Sequence, residues 1–368
     1  MHLENINLIN FKNYAESHFG FCPDINCIMG DNGSGKTNLL DAIYYLSLTK
    51  SFFNAYDLQN IRFNCDFFGI KGSFSRDNES LAVTCKLQNS GKKEILLDDN
   101  SYDRITDHIG AFPVVMIAPN DTDIIRGGSE LRRKFFDGVI SQVDRPYLSE
   151  LLKYNRALKR RNTLLKQFAE QGSFDRDLVG GYDRIIIESG RKIFDCRNSM
   201  VMRFNPVFND CYESIAGLRE KVEIQYVSDC AQPDFAEKFR SNFLPDRQNR
   251  RTLMGTHKDE YEFLINGNSL KKYGSQGQQK SFLIAMKLAQ FELIRQDKGF
   301  KPILLLDDIF DKLDDKRINN LMNLVNHHNY GQLFITDARP ERTLAIIEDI
   351  DCEKSITYLE NGKLAKSK

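Results

Sequence analysis

The 368-residue chain has no net charge, because 51 Lys and Arg balance 51 Asp and Glu. No overall field therefore draws it to nucleic acid or membrane, and any contact with a polyanion must come from a local patch. No apolar run approaches the roughly 20 residues that span a bilayer, and the first residues lack a signal-peptide pattern. The eight cysteines (Cys22, Cys27, Cys65, Cys85, Cys196, Cys211, Cys230 and Cys352) are scattered, with no C-x-x-C pair. They read as reduced core thiols in a cytoplasmic protein, not as disulfides or zinc ligands. Internal repeats and low-complexity tracts are missing too. These absences exclude a membrane span, a disulfide scaffold and a repeat array. The neutral balance argues against an obligate DNA coat protein but not against regulated DNA contact. What remains is a globular chain too long for one ordinary core, so two lobes are expected.

Against that plain background one stretch stands out. Gly30-Asp31-Asn32-Gly33-Ser34-Gly35-Lys36-Thr37 fits the phosphate loop G-x-x-x-x-G-K-[ST] in full. Asn26 to Met29 reads as a strand entering it, and Leu39, Leu40, Ile43, Tyr44, Leu46 and Leu48 recur at helical spacing after it. Such a loop points consecutive amides and a helix N-terminus at an anion. Lys36 is expected to reach the β- and γ-phosphates of a nucleoside triphosphate, and Thr37 to hold Mg²⁺.

Beyond the first helix, Phe67–Phe74, Leu81–Leu87 and Glu94–Leu97 alternate or run apolar between turn-rich segments, which predicts an antiparallel meander. Phe112 to Ala118 suits a buried strand. From about Ser129 to Leu218 the pattern becomes helical, carried by Leu148, Leu151, Leu152, Leu158, Leu164, Leu165 and Phe168. A second helical run, with Ile185, Ile186, Ile193 and Phe194, follows a break at Gly172 to Asp177. Lys221 to Pro245 has little pattern and reads as a connector. The last third returns to α/β, with strands at Tyr261–Ile265, Ile303–Leu306 and Gln332–Thr336 and a helix over Gln276–Gln296. The expected division is 1–122 and 252–368 for the two parts of one head, with 123–251 as an inserted helical arm.

Ile303-Leu304-Leu305-Leu306-Asp307-Asp308 is an apolar strand ending in two carboxylates. Beside a phosphate loop, Asp307 is expected to support the Mg²⁺ that Thr37 holds, and Asp308 to act as general base on the attacking water. Ahead of that strand, Ser275-Gln276-Gly277-Gln278 opens the long helix. A serine hydroxyl and a glycine amide at a helix N-terminus make an anion site, although Ser275 would also serve as a plain N-cap. Because the chain already carries one phosphate site, the second reads as serving the triphosphate of another subunit.

In this order the phosphate loop, the Ser-x-Gly-Gln signature, the acidic strand and Asp311-Lys312-Leu313-Asp314 resemble an ABC-type ATPase head, with Asp311 to Asp314 similar to its D-loop. The opening Leu8-Ile9-Asn10-Phe11-Lys12-Asn13-Tyr14 narrows the resemblance to the RecF family of recombination mediators, relatives of the SMC proteins. So do Asn38 to Ile43, Pro119-Asn120-Asp121, Arg132 to Asp137, Tyr154 to Asn162 and Gly255-Thr256-His257-Lys258-Asp259. The chain departs from the family pattern at Asn120, where an acid is usual, at Thr256 and Lys258, and at Asp311 and Lys312.

The resemblance implies an α/β fold, an ABC-type head with a mixed sheet and an inserted helical arm. It also implies a slow, DNA-stimulated ATP hydrolase that dimerises on ATP. The implied setting is DNA repair at single-stranded or gapped sites, where it works with mediator proteins and assists recombinase loading. Lys159, Arg160 and Arg161 on the arm, with Lys166, Arg247, Arg250 and Arg251 as further cations, are candidates for neutralising DNA phosphates, while each alone also suits a solvated helix face. Two rival readings are the ATPase subunit of a membrane transporter and a nucleotide-binding scaffold with negligible hydrolysis.

Overall fold

The computed structural model describes residues 1–172, 175–217, 220–310, 315–324, 330–360 and 362–367. They divide into two compact units: Met1–Thr122 with Cys211–Gly217 and Gln276–Lys368, and Asp123–Asp210 with Leu218–Ser275.

The first unit holds two six-stranded sheets. One is antiparallel and built from β1 (His2–Phe11), β2 (Tyr14–Gly20), β4 (Phe67–Arg76), β5 (Glu79–Gln88), β6 (Lys93–Leu97) and β7 (Asn100–Ser101), in the order β2-β1-β4-β5-β6-β7. The expected meander is β4 to β6. Its first hairpin turns on Asp77 and Asn78, both with positive φ, the geometry that a two-residue turn between twisted strands needs. The other sheet contains β3 (Ile25–Met29), β8 (Val114–Ile117), β12 (Ile303–Asp307), β13 (Leu333–Asp337), β14 (Lys354–Glu360) and β15 (Lys363–Ser367), ordered β15-β14-β3-β13-β12-β8. All its pairings are parallel except the β14–β15 edge. The strands β3, β8, β12 and β13 are buried throughout, which explains their continuous apolar runs.

Helix α1 (Lys36–Leu48) belongs to the same core as residues of both sheets. Leu39, Leu40, Ala42, Ile43, Tyr45 and Leu46 are all buried, so the helix is apolar on more than one face, as a helix packed on two sides must be. Phe68 meets Phe11 and Tyr45 edge-on with ring centroids 5.2 and 5.3 Å apart, which joins β1, β4 and α1. The unit also contains α9 (Gln276–Lys298), α10 (Asp315–Leu324) and α11 (Pro340–Ile347).

The second unit is mainly helical: α2 (Thr122–Arg126), α3 (Ser129–Val143), α4 (Arg145–Gln171) and the 41-residue α5 (Arg176–Ala216), whose last turns lie in the first unit. Helix α4 buries Tyr147, Tyr154, Ala157, Arg161, Leu165 and Phe168, while Leu148, Leu151, Leu152, Leu158 and Leu164 are only half-buried. Its inward stripe thus runs through tyrosines and an arginine, one step round from most of the leucines that mark the periodicity.

The segment 221–245 is a correction to the sequence reading. In place of a connector it folds as β9 (Val222–Val227), α6 (Phe235–Ser241) and the start of α7 (Phe243–Gln248). β9 pairs antiparallel with β10 (Glu260–Ile265), which in turn pairs with β11 (Asn268–Ser269) ahead of the short α8 (Leu270–Tyr273). That pairing places residues 252–275 in the second unit, although the sequence grouped them with the head. All eight cysteines are free thiols, four of them buried.

Candidate nucleotide-binding site

The phosphate loop lies between β3 and α1, at the C-terminal ends of the parallel strands, where open α/β sheets bind ligands. Two of its glycines are required by backbone and space. Gly30 has φ 152° and Gly35 φ 112°; a Cβ on Gly30 would stand 2.4 Å from the Leu359 carbonyl, and one on Gly35 2.6 Å from Asn13 Nδ2. Asp31, Asn32 and Gly33 are exposed, whereas Ser34, Gly35 and Lys36 are buried. The Lys36 ammonium donates to the Gly30 and Asp31 carbonyls at 2.8 and 3.1 Å. Ser34 Oγ is buried without a hydrogen-bond partner, so the loop contains a polar group that a phosphate oxygen can satisfy.

Residues outside the motif brace the loop. Tyr14 donates its hydroxyl to the Gly35 carbonyl at 2.9 Å, Asn38 Nδ2 donates to Asn13 Oδ1 at 2.7 Å, and the Gly362 amide donates to the Ser34 carbonyl at 2.9 Å. Burial raises the Tyr14 phenol well above its usual range, keeping it a neutral donor. Asn13 and Tyr14 stand in the sequence only as part of the N-terminal resemblance. Nothing local marks Gly362.

The acidic strand reaches the loop through the sheet. Thr37 Oγ1 donates to Asp307 Oδ1 at 2.9 Å across 270 positions of sequence. Thr336 on β13 donates to the same oxygen at 2.8 Å and accepts from the Asp308 amide at 3.0 Å. Burial raises the Asp307 carboxyl above its ordinary value; hydrogen bonds from Thr336 and Thr37 oppose this, and neighbouring Asp308 adds to it. The Lys36 charge also opposes the rise, and a buried carboxylate touching a hydroxyl fits a divalent cation. Mg²⁺ is commonly held by one or two carboxylates plus substrate phosphates. Asp308 leaves the strand with φ 44°, a left-handed conformation that Asp adopts more readily than most non-glycine residues.

Asn120 is exposed, and its neighbour Asp121 is buried. Asp121 accepts from the Ala118 amide at 2.8 Å and pairs with Lys287 of α9 at 2.9 Å. Ser275 is exposed immediately before α9, while Gly277 and Gln278 are half-buried in its first turn. Asp311 to Asp314 lie outside the described residues.

Of the three arm cations, Arg161 is corrected. It is fully buried, bonded to Asp183, Asp246 and Thr252 at 2.6, 2.7 and 2.8 Å, and it cannot meet DNA. Lys159 and Arg160 are exposed, and with Arg156, Thr163, Leu164 and Tyr182 they line a cavity of about 490 Å³. Three other motifs of the resemblance converge inside the second unit. Arg132 forks onto Glu260 at 2.7 and 2.8 Å, Arg133 reaches the Asp259 carbonyl at 2.7 Å, and Tyr154 bonds His257 at 2.8 Å. Arg197 joins them, pairing with Asp137 and Asp259 at 2.8 and 2.7 Å. Arg197 carried no sequence signal, because its burial depends on partners from α3 and the segment before β10.

The phosphate loop, the acidic strand beside it and the sheet order make this fold an ABC-type ATPase head with a helical arm. A model of the RecF/RecN/SMC N-terminal domain matches residues 2–351. The DNA replication and repair protein RecF of Flavobacterium johnsoniae is 45% identical over 348 residues, 95% of this chain and 97% of the relative. RecF of Cytophaga hutchinsonii is 43% identical over 367 residues, 100% of this chain and 97% of its own. A solved structure of the recombination mediator protein RecF-ATP in the RecFOR pathway superposes with a TM-score of 0.87 at 28% identity, covering 99% of both chains. An Smc head domain from Pyrococcus furiosus shares the fold alone, with a TM-score of 0.55 at 16% identity over 100% of this chain and 96% of its own. The chain belongs to the RecF family. Membership sets aside the transporter-subunit reading, and among the described residues no helix is long and apolar enough to cross a membrane.

Proposed function

We propose that this protein is an ATP hydrolase that uses ATP as a timed dimerisation switch on DNA during replication and repair. The observation that carries the reading is the meeting of Thr37 with Asp307 beside the Gly30–Thr37 loop. The relatives support it, being RecF proteins of DNA replication and repair, and so does the likeness to a solved RecF-ATP structure.

In this reading the first unit is the ATPase head and the second the arm. Loop amides, the Ser34 hydroxyl and Lys36 take the phosphates, while Thr37 and Asp307 would hold Mg²⁺, which supplies charge neutralisation. Asp308 takes a proton from the attacking water as the γ-phosphate separates, giving ADP and inorganic phosphate. Ser275, Gly277 and Gln278 of one copy close on the nucleotide of a second copy, so two nucleotides hold an isologous dimer. Loss of the γ-phosphate removes what Ser275 contacts, and the dimer opens. Turnover is slow and DNA-stimulated. The exposed Lys159 and Arg160 meet the phosphates of single-stranded or gapped DNA, and recombination mediators receive the complex in the cytoplasm and assist recombinase loading.

Light scattering of Ser275→Arg tests the composite site. Binding of ATP by the monomer should be unchanged, and the ATP-dependent dimer should be lost with hydrolysis and retention on DNA. A dimer as stable as wild type would overturn the reading.

A further inference from the structure

The first turn of α9 is held from the side by one residue of α10. Arg317 donates from Nε to Ser281 Oγ at 2.7 Å, and Ser281 is fully buried. A Cβ built on Gly277 would come to 3.2 Å from Arg317 Nη2. Gly277 and Ser281 are four residues apart, hence on one face of the helix, and the guanidinium covers both positions. The Gly277 backbone is helical, so what the glycine provides here is room for the end of the Arg317 side chain. A planar, permanently charged fork can lie flat against such a turn; a lysine ammonium cannot.

The same α10 follows the acidic strand β12, so Arg317 ties the signature turn to the segment that leaves Asp307 and Asp308.

We propose that Arg317 is a positioning residue of the signature turn, setting the first turn of α9 that presents Gly277 to the nucleotide of a second copy. The role rests on the composite-site reading above. It does not extend to the protomer's own phosphate loop.

The experiment compares wild type, Arg317→Ala, Arg317→Lys, Gly277→Ala and the double variant Arg317→Ala/Gly277→Ala. For each, ATP affinity of the monomer, thermal midpoint and ATP-dependent dimer dissociation constant are measured. Arg317→Ala should weaken the dimer about tenfold or more while leaving ATP affinity within about twofold of wild type. Arg317→Lys should fall between them, because it keeps the charge and loses the fork. Gly277→Ala should weaken the dimer by displacing the guanidinium, and the double variant should be little worse than Arg317→Ala, because contacting residues are not additive. ATP affinity falling in parallel with dimerisation would overturn the proposal, as would additive single effects. If Arg317→Ala fails to fold, Gly277→Ala decides, and a dimer of wild-type strength then sinks the proposal. Ser275→Arg separates the two levels. If it dissociates the dimer while Arg317→Ala does not, only the role of Arg317 falls; if it leaves the dimer intact, the composite site falls and this role with it.

Discussion

Lys287, in the middle of α9, forms a buried ion pair with Asp121 at 2.9 Å, joining the helix that follows Ser275 to the turn that carries Asn120. The two side chains are 5% and 3% exposed, and the Lys287 ammonium also donates to the Met116 carbonyl at 2.8 Å. Lys287→Met should therefore leave Asp121 charged, buried and stripped of its cation. The expected loss is about 3–5 kcal/mol of unfolding free energy, read by denaturant titration, because breaking one side of a buried pair strands the other. A loss under about 1 kcal/mol, typical of a surface pair, would show that the bridge is not buried in solution.

Lys36→Ala removes the cation placed at the phosphate loop. Nucleotide affinity should drop by at least about a hundredfold, the order of 2.7 kcal/mol. Calorimetric titration with ATP, beside a circular dichroism spectrum matching wild type, checks both halves of the expectation.

Asp307 and Asp308 should fail differently. Asp308→Asn keeps Asp307 beside Thr37, so ATP should bind, hydrolysis should slow by about 10²–10⁴-fold and the dimer should last longer. Asp307→Asn should instead weaken the Mg²⁺ dependence of binding. A wild-type hydrolysis rate in Asp308→Asn would remove it as the base.

Neighbouring cations on α4 should separate stability from DNA binding. Arg161→Ala leaves Asp183 and Asp246 without their buried partner, so unfolding free energy should fall by about 3–5 kcal/mol. Lys159→Ala and Arg160→Ala should unfold as wild type does and weaken DNA binding, each lowering the salt slope by about one. An unchanged slope in both would take the cavity beside Tyr182 out of the DNA surface.

The arm should lose stability in mild acid. Burial, opposed by a bond to the Thr252 carbonyl, pushes His257 down to about 4 from an ordinary 6.5. The folded state therefore favours the neutral ring and the unfolded state binds the proton first. The contribution is present above pH 6.5 and is lost as pH falls through that value toward 4, amounting to roughly 3 kcal/mol at most. Wild type should show this slope between pH 6.5 and 4, and His257→Gln should flatten it.

Much of the catalytic half was legible because its signals are local. A phosphate loop needs specified residue types at adjacent positions, and the buried strands β3, β8, β12 and β13 have to be apolar on both faces. Helix α9 and the β4–β6 meander announced themselves by period and turn chemistry. The family resemblance rested on short runs of the same kind, and the full-length match to RecF proteins bears it out. β9 was missed because Val222, Ile224 and Tyr226 alternate over too short a span to signal a strand until β10 pairs with it.

Tertiary structure alone decided which charges face inward. Lys159, Arg160 and Arg161 are one basic run in sequence, yet the turn of α4 buries only the third, and the carboxylates waiting for it come from α5 and α7. It likewise decided that Arg132, Asp137, Arg197, Asp259 and Glu260 form ion pairs inside the arm, and that Arg317 lies across Gly277. Each of these contacts joins residues distant in the chain, and an ion pair or a close approach has no period for a sequence to display. The chain by itself determined the chemistry of its phosphate loop; only folding brought Thr37 to Asp307, because parallel strands place the ends of remote segments side by side.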